Sequence, residues 1–211
     1  MTIGIAANGI GAGMAVLAAW QEAERIGRGA IGGFAVFAVI PDGAGPVAVE
    51  CQRGGPAMIR REWAGTGLLD LMARAPVAAV ITSGPDRPVP LMQFLCTSRT
   101  GLVTGHRLPN LPDAGGVPLN ISALRLIEGG VDPETAVTDL AAANPLLDAG
   151  LIAVTRDAVG LAETAHVRQR DDRGQALHRP KGAGLAILHN SITPVAGLAE
   201  AVAAAGLALL S

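Results

Sequence analysis

Ile31–Cys51, IGGFAVFAVIPDGAGPVAVEC, holds two apolar runs, Ile31–Ile40 and Val47–Cys51, separated by Pro41-Asp42-Gly43. Val, Ile and Phe dominate the first run, and Pro-Asp-Gly is turn chemistry, so the stretch predicts a β-hairpin. A hairpin pairs its strands antiparallel and leaves no room for a crossover helix. Its reading therefore steers the fold away from strict βαβ alternation.

The hairpin is preceded by Thr2–Ala7, TIGIAA, a short run that reads as a strand buried on both faces and ended by Asn8-Gly9. Gly13–Ile26 follows, with Met14, Leu17, Ala18 and Ile26 near helical spacing and Gly27-Arg28-Gly29 as its stop. After the hairpin, Gly54-Gly55-Pro56 reads as a loop and Leu68–Ala73 as a short helix. Val77–Thr82 reads as a strand closed by a turn at Gly84-Pro85-Asp86, with Val89–Cys96 and Gly101–Thr104 as further strands.

The pattern changes beyond the loop His106–Gly116. Leu119–Ile127 reads as a helix, and Asp132-Pro133-Glu134 opens another, with Asp132 as N-cap and Pro133 as its first residue. Gly150–Thr155 and Val159–Val167 read as paired strands, Gly184–Leu188 as another strand and Ala196–Leu210 as a terminal helix. Antiparallel strands with helices clustered between them predict one α+β domain over residues 1–211. Its expected architecture is a layered sandwich, with a four-layer αββα arrangement fitting the count and a two- or three-layer sandwich fitting nearly as well.

Composition narrows the partners. Hydrophobic residues make up 50% and charged residues 16%, so the chain has ample material for a core. Net charge is −2 and aromatics are 2% with no Tyr, which argues against nucleic acid. Mean hydropathy is +0.40, yet no run of about 20 strongly apolar residues is free of turn signals. Met1–Gln21 lacks a basic n-region, so a cytoplasmic protein off the membrane is expected. The Ala/Leu-rich end and the apolar balance predict a homo-oligomer. His106, His166, His178, His189, Cys51 and Cys96 form no metal-ligand spacing, so neither a metal nor a cofactor is expected.

Four places carry candidate chemistry. Thr2 joins a hydroxyl to an α-amine once Met1 is removed, and the amine can serve as base for its own hydroxyl. His106, Arg107 and Asn110 stand where a strand gives way to a loop. There His106 suits acid–base work, Arg107 a carboxylate clamp, and Asn110 or Asn120 an oxyanion. Asp148 precedes a strand beside the Asn144-Pro145 turn, where it would orient a His or cap the turn. Asn190, in His189-Asn190-Ser191, reads as a site edge. Gly9-x-Gly11-x-Gly13 follows a strand and opens a helix, but its third glycine comes one position early for a dinucleotide loop.

The stretch from Gly101 to about Thr164 resembles an uncharacterised bacterial family with an Ntn-hydrolase-like pattern. The resemblance is carried by Gly101–Thr104, Leu119–Gly130, Asp132-Pro-Glu-Thr-Ala-Val, Ala143-Asn-Pro and Gly150-Leu-Ile-Ala-Val. Met1-Thr2-Ile3-Gly4-Ile5 is similar to the start of proteasome-type Thr hydrolases. The resemblance implies an αββα sandwich and amide hydrolysis by an N-terminal nucleophile. The sequence departs from it in placing a helix after the first strand and in having no lysine before Lys181.

The expected function is thus an amidohydrolase acting on a small-molecule amide. Thr2 would be the nucleophile, His106 and Arg107 would hold substrate, and Asn110 or Asn120 would receive the oxyanion. A non-catalytic protein binding a small anion at His106–Asn110, and a nucleotide-binding enzyme using Gly9–Gly13, remain the alternatives.

Overall fold

The computed structural model describes residues 1–84, 86–191 and 193–211; Pro85, assigned above to a turn, lies outside them. Among the described residues, ten strands form two sheets. The larger contains β1 (Thr2–Asn8), β2 (Phe34–Ile40), β3 (Val47–Cys51), β4 (Val77–Ser83), β9 (Arg173–His178) and β10 (Gly184–Asn190), in the order β3-β2-β4-β1-β10-β9. The smaller contains β5 (Cys96–Thr97), β6 (Gly101–Arg107), β7 (Ala149–Thr155) and β8 (Val159–Glu163), in that order. Every neighbouring pair is antiparallel. The fold is mixed α+β, as the hairpin predicted.

Three apolar layers separate the elements, and strand alternation decides which residues enter each. Ile3, Ile5 and Ala7 face outward from β1 against α1 (Ala12–Ile26) and α7 (Leu198–Leu207), with α2 (Gly55–Trp63) and α3 (Leu68–Arg74) in the same cluster. Ala6, Val36, Ile81 and Leu188 face inward and meet Leu102, Ile152 and Val154 of the smaller sheet. Val103 and Leu151 face the other way, against α4 (Leu119–Glu128) and α5 (Pro133–Ala143). The order is helices, sheet, sheet, helices. The sheets approach most closely where β1 crosses β6. A Cβ on Gly4 would fall 2.2 Å from the Gly105 carbonyl oxygen, so only glycine lets the two backbones come this near.

Local chemistry explains the elements. Asp132 caps α5 by accepting from the Glu134 and Thr135 amides, with Pro133 behind it, as expected. The first hairpin is β2–β3, in the register Val36↔Glu50 and Val39↔Val47. All of β2 is buried, whereas β3 alternates as an exposed edge.

Several expectations need correction. The helix after β1 is a true crossover: β1 and β2 each pair antiparallel with β4, so they run parallel on either side of it. Gly55-Pro56 opens α2 instead of a loop, because proline fits the first turn of a helix. Val89–Cys96 is not one strand. Pro88 and Pro90 lack ladder donors, and a 3₁₀ turn at Leu91–Phe94 precedes the short β5. The strand expected over Val159–Val167 ends at Glu163, because Thr164 caps a short helix, α6 (Ala165–Arg168), by accepting from the Val167 amide. The strand β9, RGQALH, escaped the sequence reading because an edge strand needs no apolar run. Among the described residues, no helix is long and apolar enough to cross a membrane.

Candidate functional site

One end of the layer between the sheets is polar. Thr2 opens β1 and pairs with Ser83 of β4 on one side and Asn190 of β10 on the other; Asn190 in turn pairs with Arg173 of β9. Ser83, Thr2, Asn190 and Arg173 therefore form one rung across four strands. Each stands an even number of residues from an inward apolar neighbour, Ile81, Ala6, Leu188 and Leu177, so all four belong to the inner face. The Thr2 hydroxyl, 4% exposed, donates to Ser83 Oγ at 3.1 Å.

The smaller sheet closes over this rung with a second one, His106–Gly150–Glu163. His106 and Glu163 lie two strands apart yet touch, with Nε2 3.0 Å from Oε1 and both side chains almost fully buried. Gly150 makes this possible, since a Cβ there would sit 2.3 Å from the imidazole. Glu163 Oε2 then accepts from Arg173 Nη1 at 2.6 Å, which joins this rung to the one carrying Thr2.

Burying polar atoms without partners is costly, and native proteins keep few of them. Among the described residues they are concentrated here. Asn8 Oδ1 lies at the far end of β1, whereas His106 Nδ1 and Nε2, Glu163 Oε1, His189 Nε2 and Asn190 Oδ1 all lie at the Thr2 end. The His106–Glu163 contact is close without being aligned as a hydrogen bond. Catalytic contacts are often misaligned in this way before substrate arrives.

His189 faces outward from β10, in line with Ile187 and Leu185. Ser191 Oγ is 3.4 Å from its Nδ1. Burial first, and then the neighbouring His106, push its pKa down to about 4, against the opposing pull of Glu163 and Asp172. His189 and Ser191 line a cavity of about 540 Å³ between β9, β10 and α7, with Asp172, Arg173 and Glu200 among its other walls.

Met1 covers Thr2. Its side chain, 3% exposed, belongs to the outer core, and its amine donates to the Ala30 carbonyl at 2.8 Å. Burial, and then the Arg87 charge, lower the pKa of that amine.

The structure thus pairs Thr2 with Asn190 and links His106 to their rung through Glu163 and Arg173. Arg107, at a positive φ of 62°, spends its guanidinium on Asp148 through two contacts and also faces Asp172 at 3.7 Å. Asp148 therefore clips Arg107, and among the described residues no histidine contacts its carboxylate. Asn110 Nδ2 donates to Gln93 Oε1 and Asn120 Nδ2 to the Gln93 carbonyl, so both asparagines brace the 3₁₀ turn. Sequence reasoning does not single out Ser83, Glu163 or Arg173, and it names His189 only within the site edge around Asn190. The meeting of Glu163 with His106 and Arg173 depends on register. Around the Gly9–Gly13 loop, the amides of Gly9, Ile10 and Gly13 donate to the carbonyls of Pro76, Ser211 and Ala75. They are spent on the protein's own backbone. Among the described residues, no three His, Cys, Asp or Glu side chains cluster as metal ligands.

A family model described as a domain of unknown function (DUF6963) matches residues 2–211. The chain belongs to that family. No curated protein matches it.

Proposed function

We propose that this member of the DUF6963 family is an Ntn-hydrolase-like amidohydrolase that cleaves a small amide with Thr2 as its N-terminal nucleophile. The observation that carries this reading is the placement of the Thr2 hydroxyl. It lies on the inner face of the central strand, at the end of the layer where unpartnered buried polar atoms gather. The helix–sheet–sheet–helix layering is the architecture that the resemblance to Ntn hydrolases implies.

Removal of Met1 frees the Thr2 amine. The amine takes the hydroxyl proton as Oγ bonds to the amide carbon. The C–N bond then breaks, and the proton passes from the amine to the departing nitrogen. Water attacks the resulting ester, releasing the acid and restoring the Thr2 hydroxyl. Burial lowers the pKa of the Met1 amine, and the same desolvation would act in the same direction on a Thr2 amine. Asn190, in the same rung, has a buried Oδ1 with no partner among the described residues, and its Nδ2–H group takes the oxyanion role. His106 holds the substrate nitrogen. The test is a screen of small amides with Met1-free protein. Turnover retained by Thr2→Ser and lost by Thr2→Ala supports the reading, and turnover unchanged in Thr2→Ala refutes it.

Met1 itself favours a second reading. With its side chain kept in the core, Met1 leaves the Thr2 nitrogen in a peptide bond, and the cavity of about 540 Å³ beside His189 and Arg173 is an open feature of this end. The chain would then bind a small ligand without cleaving it.

A further inference from the structure

The buried chain of contacts from His106 through Glu163 to Arg173 has a polarity of its own. Glu163 approaches the imidazole from the Nε2 side only, at 3.0 Å. Neither buried ring nitrogen has an aligned hydrogen bond among the described residues, but Nε2 is the one that lies within ion-pair distance of an acid. Which imidazole nitrogen carries the proton is set by the group that the nitrogen faces. A carboxylate accepts, so it draws the proton to Nε2 and leaves the Nδ1 lone pair bare. Arg173 fixes the carboxylate in turn by donating to Oε2, so Oε1 is the oxygen left for the ring. Gly150 completes the device, because its missing side chain is the space through which the ring reaches across β7.

We propose that Glu163 and Arg173 are positioning residues for His106. They hold it in the Nε2–H tautomer, so that Nδ1 accepts a hydrogen bond from the N–H of the substrate amide. The assignment rests on the amidohydrolase reading for its substrate, but the tautomer exists without any substrate. It also narrows the substrate class. An amide with at least one N–H satisfies the bare Nδ1, whereas a tertiary amide leaves it unpartnered.

The test is long-range ¹H–¹⁵N NMR of the imidazole rings in the full chain, with His106→Gln used to assign the His106 signal. The wild type is expected to show His106 as a single species, protonated at Nε2 alone. Glu163→Gln, whose side-chain amide can either donate or accept, is expected to give mixed tautomers. Arg173→Lys, which keeps a cation on Oε2, is expected to restore most of the wild-type signal. A wild-type ring protonated at Nδ1, or at both nitrogens, overturns the proposal, as does a tautomer that Glu163→Gln leaves unchanged. In the Thr2-dependent assay, Glu163→Gln is expected to lower kcat about 100-fold, with a smaller change in KM. A wild type with no amide turnover but with the expected tautomer overturns the amidohydrolase reading and leaves the positioning assignment standing.

Discussion

His106 of β6 and Glu163 of β8 meet 3.0 Å apart across the bare backbone of Gly150, with β7 running between them. A methyl at Gly150 would stand 2.3 Å from the imidazole. Gly150→Ala is therefore expected to push the ring aside and to destabilise the protein by about 1–3 kcal/mol, the usual cost of overpacking. Urea unfolding measures the loss. A variant as stable as wild type, with an unchanged His106 ring signal, would mean that the ring does not lie over Gly150.

Gly4→Ala tests the packing of the sheets. Its Cβ would meet the Gly105 carbonyl oxygen at 2.2 Å, and backbone cannot rotate away as a side chain can. The expected loss exceeds that of Gly150→Ala and reaches or passes the top of the same range of about 1–3 kcal/mol. Paired urea titrations give the ranking, and the reverse order would contradict the close approach of β1 and β6.

Much of this fold was legible because apolar strands and turn chemistry are local. The hairpin β2–β3 and the Asp132 cap followed from residues within a few positions of one another. The site is a different matter. Thr2 and Asn190 meet only because β1 pairs with β10 across most of the chain length, and no local signal encodes that register. Glu163 reads in sequence as one polar residue inside a strand running to Val167, and its partner Arg173 lies in a segment with no apolar pattern. Asn110 and Asn120 drew attention as polar loop residues, yet their amides serve Gln93. A polar side chain beside a strand end looks the same in sequence whether it braces a turn or faces a substrate.

His189 makes stability depend on pH. Its pKa is about 4 in the fold and near its ordinary ~6.5 in the unfolded chain. Between these values the unfolded chain binds a proton that the folded protein does not. The contribution is therefore present above about pH 6.5 and is lost as pH falls toward 4, by up to about 3 kcal/mol. Denaturant midpoints of the wild type should fall through this window, and those of His189→Gln should fall less. Parallel pH profiles would show that His189 is not the group responsible.

Cys96 is expected to be inert. Burial pushes its thiol up to about 12, so almost no thiolate exists at pH 8. Mass mapping after brief treatment with an alkylating reagent at that pH should find Cys96 unmodified in the native protein and modified after unfolding. Rapid native labelling would contradict the packing of β5 against α4.

The claim that Thr2 is the nucleophile is tested most directly by mass spectrometry of the N-terminal peptide of untagged protein translated from Met1. The account predicts a peptide that begins at Thr2, with a free α-amine beside the hydroxyl that reaches Ser83. A peptide that begins at Met1 in all of the protein would contradict it, because the amine needed as base would then be locked in a peptide bond.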